Sequence, residues 1–577
     1  MSGFYSEVCV TGGENMPRDG PVIIAATHHN EIIDIAALSA TIPYRRRVCY
    51  WAKSSLFKNP VSGVLLTSSG SIPVYRNPNS FSSSNPLNSS SSSASQADLF
   101  RHTSAALVAG EVIGVFPEGT SYTEPGIVQV KDGAAWAAVE YAKVINMSGK
   151  EGKELVIVPA AIVYTDKSKY QSRVCVRYGK PIVVSEYAAK LDPESAESTR
   201  SVVKEITAVI ESELRHLTVN APDWKTLHAA CAARKVSWKN EDRIALHSFV
   251  DTTQRFVKTF SPRSESMEVR KAVLNRYLAL LHFTDTSHST LEDLYPSVKH
   301  DEDFPMQPLL WPSRIRAGAT LLSQLCIIMF HPRALLFFPV FLVHVPGYIT
   351  GWLAARMLTI PNEEETKAQF KAIFGGLGFA LSYGLLTRAC VKLAVNFTCP
   401  VHFPIRNGNL TVFIDKILQA FSTLCSCLTA RQGSLKSSLS ILAAAVGMTW
   451  SLWKWHNALV YVNYRQWKRF LTALRVFTGL LLPPSFDLPA DQLPAYSTPP
   501  LPAENPYIKR HVVEDSPRNS TPIGEVGRTV TQSSFQNAEH MSPGVQGPSI
   551  PARKLIRHLF LARSAAYRAL RSSDERG

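Results

Sequence analysis

The chain has 577 residues, 45% of them hydrophobic and 19% charged, with a formal net charge of +15. That length exceeds one ordinary core and points to about two to four domains or segments. The positive balance favours anionic partners such as phosphorylated metabolites or an acidic membrane face, while its even spread and the lack of any recognition motif argue against nucleic acid.

The nine cysteines are scattered, only Cys425 and Cys427 lie close together, and no Cys-x-x-Cys pair or histidine cluster has zinc spacing. Reduced thiols facing the cytosol, with no structural metal, are the expectation. The first residues, Met1 to Glu7, carry neither a basic region nor an apolar run, so no cleavable signal is expected.

From Pro21 to about Val219 short Val/Ile-rich runs alternate with helical patterns. Strands are predicted at Val22 to Ala26, Arg47 to Trp51, Ser71 to Tyr75, Val112 to Phe116, Leu155 to Val163 and Val174 to Tyr178. Helices are predicted at Glu31 to Ala40, Ala97 to Ala109, Gly133 to Asn146 and Thr199 to Leu214. Such alternation predicts an α/β domain over 1–219, with a mostly parallel sheet flanked by helices. Residues 77–96, mostly Ser and Asn, have too little apolar surface to fold and are expected to be a disordered insertion. A soluble helical extension is expected over 220–312, where apolar residues recur at helical spacing.

The character changes after Pro312, and a membrane-associated helical region is expected over 313–482. Ala317 to Phe330 is a 14-residue uncharged run and Ala334 to Ala355 one of 22 residues, of which only the second reaches the roughly 20 needed to cross a bilayer. Shorter runs at Ala372 to Thr387 and Ser437 to Trp453 leave short spans, re-entrant hairpins and interfacial helices all open. Residues 483–552, rich in Pro and Ser, are expected to be a disordered linker. The last segment, 553–577, carries Arg557, Arg563, Arg568 and Arg571 among leucines, as a basic amphipathic helix on a membrane or in solvent would.

The chemistry-bearing residues gather at strand ends. Five helical steps would put His29 and Asp34 about 140° apart, so they can meet only if His29 lies in the loop before the helix. A carboxylate on one ring nitrogen would fix the tautomer and leave the other nitrogen to take a proton from a substrate hydroxyl. Arg76 follows the run Gly70-Ser-Ile-Pro-Val-Tyr75 at a strand's C-terminal end, where open α/β sheets bind ligands; its planar charge suits a phosphate, while the segment by itself reads as a solvated arginine. Glu118 emerges after the strand Val112 to Val115, and Gly119 lets backbone N–H groups approach an oxygen that becomes negative in a reaction. Lys131, just before the helix that opens at Gly133, either adds positive charge toward an anion there or is simply solvated.

Together these residues resemble the glycerolipid acyltransferase family. The likeness rests on four ordered motifs over Phe4 to Ile182: His29-x4-Asp34, Gly70-x-Ile-Pro-Val-x-Arg76, Phe116-Pro-Glu-Gly-Thr-Ser121 and Val158-Pro-Ala160. The second motif, with the region from Trp455 to Arg475, is most similar to the fungal-type glycerol-3-phosphate and dihydroxyacetone-phosphate acyltransferases.

The resemblance implies a membrane enzyme of the endoplasmic reticulum, its catalytic domain facing the cytosol. It would move an acyl chain from acyl-CoA to the sn-1 hydroxyl of glycerol 3-phosphate or dihydroxyacetone phosphate, with no metal or further cofactor. By the same resemblance His29 is the general base and Asp34 orients it. Arg76 binds the acceptor phosphate with help from Lys131, and Glu118, Gly119 and Thr120 position the substrates. Two other readings stand beside it: a lysophosphatidate acyltransferase, and a non-catalytic membrane lipid-binding protein with the same fold. The sequence departs from the family in having His28 before the histidine of the first motif, where Asn, Pro or Ser is usual. It departs again in having Tyr122-Thr-Glu124 after the third motif.

Overall fold

A computed structural model describes residues 3–75, 89–148, 153–192, 195–238, 241, 244–296, 312–359, 364–396, 435–502, 505, 508 and 552–574. Its first part is built on one sheet of eight strands: β1 (Glu7–Thr11), β2 (Val22–Ala26), β3 (Val48–Lys53), β4 (Ile72–Val74), β5 (Val112–Val115), β6 (Val156–Tyr164), β7 (Arg173–Tyr178) and β8 (Ile182–Val183). The order is β1-β7-β6-β2-β5-β3-β4, with β8 paired to β6. Only the β6–β7 and β6–β8 pairings are antiparallel. The mostly parallel α/β sheet expected from the alternating pattern is therefore present.

Burial explains why the central strands read as unbroken apolar runs. Every residue of β2 is buried, because parallel strands fed by crossover helices are covered on both faces. Alternate side chains sort to opposite sides. Ile23, Ile113 and Ile157 share one core cluster with the small residues Ala134 to Ala138, whereas Val22, Ile24 and Ala26 share another with Ile33, Ala37 and Leu38. Those residues lie on α4 (Gly133–Ser148) and α1 (Ile32–Thr41) respectively. Between these two helices come α2 (Pro60–Ser68) and α3 (Ser89–Val108). The strands β1 and β8 and the helix α2 were not foreseen: β1 is a half-exposed edge strand, β8 has two residues, and α2 leaves Val64 and Leu65 in the open.

Helix α3 begins eight residues before the expected Ala97, so the end of the serine run is helical and only 77–88 of the expected insertion lies outside the described residues. Once Leu99, Thr103 and Leu107 are docked the helix is nucleated, and extending it upstream costs little.

Gly114 sets a packing limit in β5. A Cβ there would come within 2.6 Å of the Tyr50 ring and 2.9 Å of Val48 Cγ1. Gly114→Val is expected to destabilise the protein by about 1–3 kcal/mol through overpacking, read as a lowered unfolding temperature of the full chain.

After α5 (Ser185–Ala188) and α6 (Ala196–Leu217) comes a helical unit of α7 (Trp224–Ser237), α8 (Leu246–Phe260), α9 (Glu265–Phe283) and α10 (His288–Leu294). Its core is completed from far along the chain. Next come α11 (Arg314–Phe330), α12 (Pro332–Met357), α13 (Lys367–Asn396), α14 (Leu435–Leu481) and α15 (Ile556–Asp574). Ala473, Val476 and Leu480 of α14 enter that core, as do Leu488, Leu493 and Tyr496 and then Leu555, Ile556, Leu559 and Phe560.

Two expectations are corrected here. Residues 484–496 are not a disordered linker: apolar side chains spaced among prolines dock in a core, which an average over composition conceals. The final helix does not present all its arginines to solvent or a membrane: Arg568 and Arg571 are exposed, but Arg557 and Arg563 point inward. Arg563 is buried against Glu292 at 3.1 Å and Arg557 against Asp487 at 2.6 Å. Burying Leu555, Ile556, Leu559 and Phe560, at about 1.5–3 kcal/mol each, outweighs an exposed position.

Two helices are long and apolar enough to cross a membrane, Pro332–Met357 and Lys367–Cys390. They form a close hairpin because glycines face one another. A Cβ on Gly378 would stand 2.7 Å from the Gly347 Cα, and one on Gly351 would stand 2.9 Å from the Lys371 carbonyl oxygen. Their outer faces expose Leu335, Leu336, Leu342, Leu377 and Leu381. The run at Ala372 to Thr387 is thus part of a helix of 30 residues, and that at Ser437 to Trp453 part of one of 47.

Candidate active site

Strand register creates the site. β2 and β5 are parallel neighbours with Ala25 opposite Val115, so the residues three beyond each, His28 and Glu118, leave the sheet side by side. The backbone N–H of His28 donates to Glu118 Oε1 at 2.7 Å. The imidazole of His28 stacks on Phe116 with centroids 4.1 Å apart.

Asp34, fully buried in the first turn of α1, organises the preceding loop. Its Oδ2 accepts from His28 Nδ1 at 2.9 Å, from the His29 N–H at 2.8 Å and from the Asn30 N–H at 2.7 Å. Its Oδ1 accepts the Tyr164 hydroxyl at 2.6 Å. Burial pushes the Asp34 carboxyl up, but the hydrogen bond and charge of His28 and the Tyr164 hydroxyl together outweigh it and hold the group below the usual carboxylate range. An ionised carboxylate cannot donate, so His28 Nδ1 carries the hydrogen and Nε2 is left with a lone pair. Nε2 is then placed to take a proton.

Residues 28–30 fold over the carboxylate because the chain turns sharply at Glu31, whose φ is 43°. That turn decides which histidine meets Asp34. The expectation from spacing, a ring contact between His29 and Asp34, is corrected: His29 does precede the helix, but it reaches the carboxylate with its backbone, and its ring lies edge-on to Tyr122, 6.3 Å away. Two adjacent rings cannot both point inward from an extended loop, and the inward one is His28.

The third motif is a tight turn. The Gly119 N–H donates to the Phe116 carbonyl at 3.0 Å, and Gln129 Nε2 donates to the Glu118 carbonyl at 2.8 Å. The Gly119 N–H is therefore spent on the turn rather than aimed at a developing oxyanion. Gly119 has φ +80°, and a Cβ on it would come within 2.6 Å of Lys131 Nζ, so the lysine is folded over the turn. Thr120 is half-buried beside it. Glu118 is fully buried, and its Oε2 has no hydrogen-bond partner among the described residues. A buried acceptor left open beside a base is suited to a substrate hydroxyl.

Residues 7–163 match the acyltransferase family model. This stretch is an acyltransferase domain.

The domain is similar to glycerol-3-phosphate O-acyltransferase 2 of Saccharomyces cerevisiae, 30% identical over 149 residues that make up 26% of this chain and 19% of that protein. It is also similar to glycerol-3-phosphate O-acyltransferase 1 of the same yeast, 27% identical over 33% of this chain and 24% of that protein. A 1-acyl-sn-glycerol-3-phosphate acyltransferase of Bacillus subtilis is 32% identical over 23% of this chain and 56% of its own length. Each match thus spans well under two thirds of the relative's length. Among solved structures the chain is similar to the 1-acyl-sn-glycerophosphate acyltransferase PlsC of Thermotoga maritima, with 19% identity, a TM-score of 0.23, and coverage of 36% of this chain and 71% of that one.

Of the residues singled out from the sequence of this acyltransferase domain, Asp34, Glu118, Gly119, Thr120 and Lys131 lie in or beside the site just described, and Arg76 lies outside the described residues. Strand β4, which precedes Arg76, is three strands from β2 in the sheet, about 14 Å at ordinary strand spacing.

Sequence reasoning favoured His29 over the neighbouring His28 because of its spacing to Asp34, and missed Tyr164 and Lys167. Lys167 Nζ lies 3.3 Å from the His29 carbonyl oxygen and 3.3 Å from Glu365, and also meets Thr123. Tyr164 and Lys167 leave the C-terminal end of β6, the other neighbour of β2, so sheet order was the signal that could have found them. Glu365, paired with Lys167, and Gln369, whose amide donates to Glu31, tie the start of the hairpin's second helix to the same loop.

Proposed function

We propose that the chain is an acyl-CoA-dependent acyltransferase that esterifies the sn-1 hydroxyl of glycerol 3-phosphate, dihydroxyacetone phosphate or both. The observation that carries the reading is the buried His28–Asp34 pair beside the open carboxylate of Glu118, in a domain similar to two yeast glycerol-3-phosphate acyltransferases.

The acceptor hydroxyl gives its proton to His28 Nε2 as its oxygen attacks the thioester carbonyl carbon. Asp34 stabilises the imidazolium that forms. When the tetrahedral intermediate collapses, the C–S bond breaks and the imidazolium returns the proton to the departing sulfur. Free CoA and a monoacylated glycerophosphate result, without an acyl-enzyme and without a metal or further cofactor. The open oxygen of Glu118 orients the acceptor beside the Gly119–Thr120 turn, and Arg76, with Lys131, takes its phosphate. General-base help of this kind is worth about 10²–10⁴-fold, so holding the two substrates together supplies much of the rest.

The reading extends to residence in the endoplasmic reticulum membrane with the acyltransferase domain on the cytosolic side. Its support is the apolar hairpin anchored to the histidine loop.

The test is acyl transfer by the purified full chain in lipid nanodiscs, from palmitoyl-CoA to glycerol 3-phosphate, dihydroxyacetone phosphate and lysophosphatidate offered separately and in competition. A single-chain product from one of the first two is expected. Exclusive use of lysophosphatidate would replace the acceptor assignment, and no transfer to any of them would favour a non-catalytic lipid-binding protein.

A further inference from the structure

A half-open cavity of about 1100 Å³ lies outside the acyltransferase domain's own core, lined by α12, α13, α14 and the loop between β6 and β7, with Gly3, Phe4 and Ile328 at its edge. That volume is at the upper end of what small-molecule sites enclose. Its walls are largely apolar, with Phe337, Phe341, Phe379, Trp453 and Val460 among them.

A polar row braces the chamber from inside. The rings of His344 (α12) and His456 (α14) stack with centroids 3.9 Å apart. His344 Nδ1 lies 2.7 Å from the Val340 carbonyl and must donate to it, so its Nε2 accepts the Tyr383 hydroxyl of α13 at 2.7 Å. His456 Nε2 pairs with the Tyr348 hydroxyl at 2.6 Å, and Tyr348 reaches Tyr170 of the β6–β7 loop at 3.4 Å. Three helices are thus cross-linked by short bonds, with a longer one to the β6–β7 loop, in apolar surroundings where an unmade hydrogen bond is costly. Such a chamber does not readily collapse.

Its mouth, marked by the exposed side chain of Lys169, is cationic. Lys169, Lys371 and Lys468 line it. Lys169 is paired with Asp166 at 2.7 Å, and Lys468 stands 3.7 Å from Asp285, a carboxylate that also holds Arg475 at 2.7 Å. Lys371 has no carboxylate partner among the described residues: its Nζ donates to the Ser168 carbonyl at 2.8 Å. One neighbour of Ser168 is Lys167, which contacts the His29 carbonyl. The mouth therefore opens next to the histidine loop.

From this arrangement we infer that the chamber binds a single-chain amphiphile with a phosphate-bearing head, the chain among the aromatic walls and the phosphate at Lys371 and its neighbours. Naming a glycerophosphate head rests on the function proposed above; the apolar walls and cationic mouth do not. Two such amphiphiles belong to that reaction, lysophosphatidate and long-chain acyl-CoA, and both present one chain and an anionic head.

Binding is measured without turnover, using radiolabelled oleoyl lysophosphatidate and the full chain carrying His28→Ala in detergent micelles. Two further substitutions probe the chamber. Lys371→Glu reverses the charge at the mouth. Gly376→Trp fills the space from a wall position where an added Cβ meets nothing within 4 Å, so the helix itself need not move.

Saturable binding is expected to weaken at least tenfold in each. Unlabelled lysophosphatidate should displace the probe at least tenfold better than monooleoylglycerol or phosphatidylcholine, and displacement by a non-hydrolysable acyl-CoA thioether would add the donor to the ligands of the same chamber. Unchanged binding in both variants overturns the inference, as does equal displacement by phosphatidylcholine, which would make the chamber a space filled by bulk lipid. A chain that binds the probe in this way yet acylates no glycerophosphate would uphold the chamber and reject the proposed reaction, so the two fail separately.

Discussion

His28→Ala is expected to lower the turnover number for acyl transfer by about 10²–10⁴-fold, the usual worth of a positioned base. His29→Ala is expected to keep most of the activity. Only the His28 ring combines a bond to the buried carboxylate with a stack on Phe116. The contacts of His29 with the site are made by its N–H and its carbonyl, which alanine retains. Neither change should unfold the protein, because the loop is held to Asp34 and Glu118 by backbone N–H groups. The check is turnover in nanodiscs alongside unfolding temperature for both variants. An inactive His29→Ala with an active His28→Ala would reverse the assignment.

Asp34 separates orientation from charge. In Asp34→Asn the side-chain oxygen can still face the His28 ring and the two N–H groups, while its amide turns to Tyr164, whose hydroxyl can accept as well as donate. The loop should persist, but a charge-assisted bond worth about 1.5–3 kcal/mol is lost, so turnover should fall by roughly 10–10²-fold and stability by no more than that amount. Asp34→Ala leaves the buried donors of residues 28 to 30 without an acceptor, at about 1–3 kcal/mol each, so it should lose stability as well as activity.

The acid response supplies a second readout. The folded carboxyl is depressed, so its contribution to stability is present above its unfolded value of about 3.9 and is lost as pH falls through the lower, folded value. The Asp34→Asn protein, with no carboxyl at that position, would not show that acid step. Equal unfolding midpoints for all three proteins would remove the organising role given to Asp34.

Much of this was legible beforehand because it depends on local pattern. The strand Val22 to Ala26 reads as a strand and is one, since both faces are covered and nothing competes with its β-branched run. Helices at Gly133 and around Thr199 to Leu214 were likewise marked by their periodicity. Competition between distant groups was not legible. Asp34 Oδ2 is one acceptor sought by three consecutive residues, and only the turn at Glu31 settles that His28 gives its ring while His29 gives its backbone. Arg557 and Arg563 of the last helix look like part of a membrane face until Asp487 and Glu292 are seen beneath them.

The sequence by itself determined the α/β character of the first part, the strand ends from which the site residues emerge, and the apolar length of two helices. These follow from periodicity and composition within windows of ten to thirty residues. Tertiary structure alone decided which histidine faces the carboxylate, where the Gly119 N–H is spent, how the chain's end completes the helical core, and that three helices line a chamber beside the histidine loop. Each of those depends on strand register or on contacts between residues far apart in the chain, which no local pattern encodes.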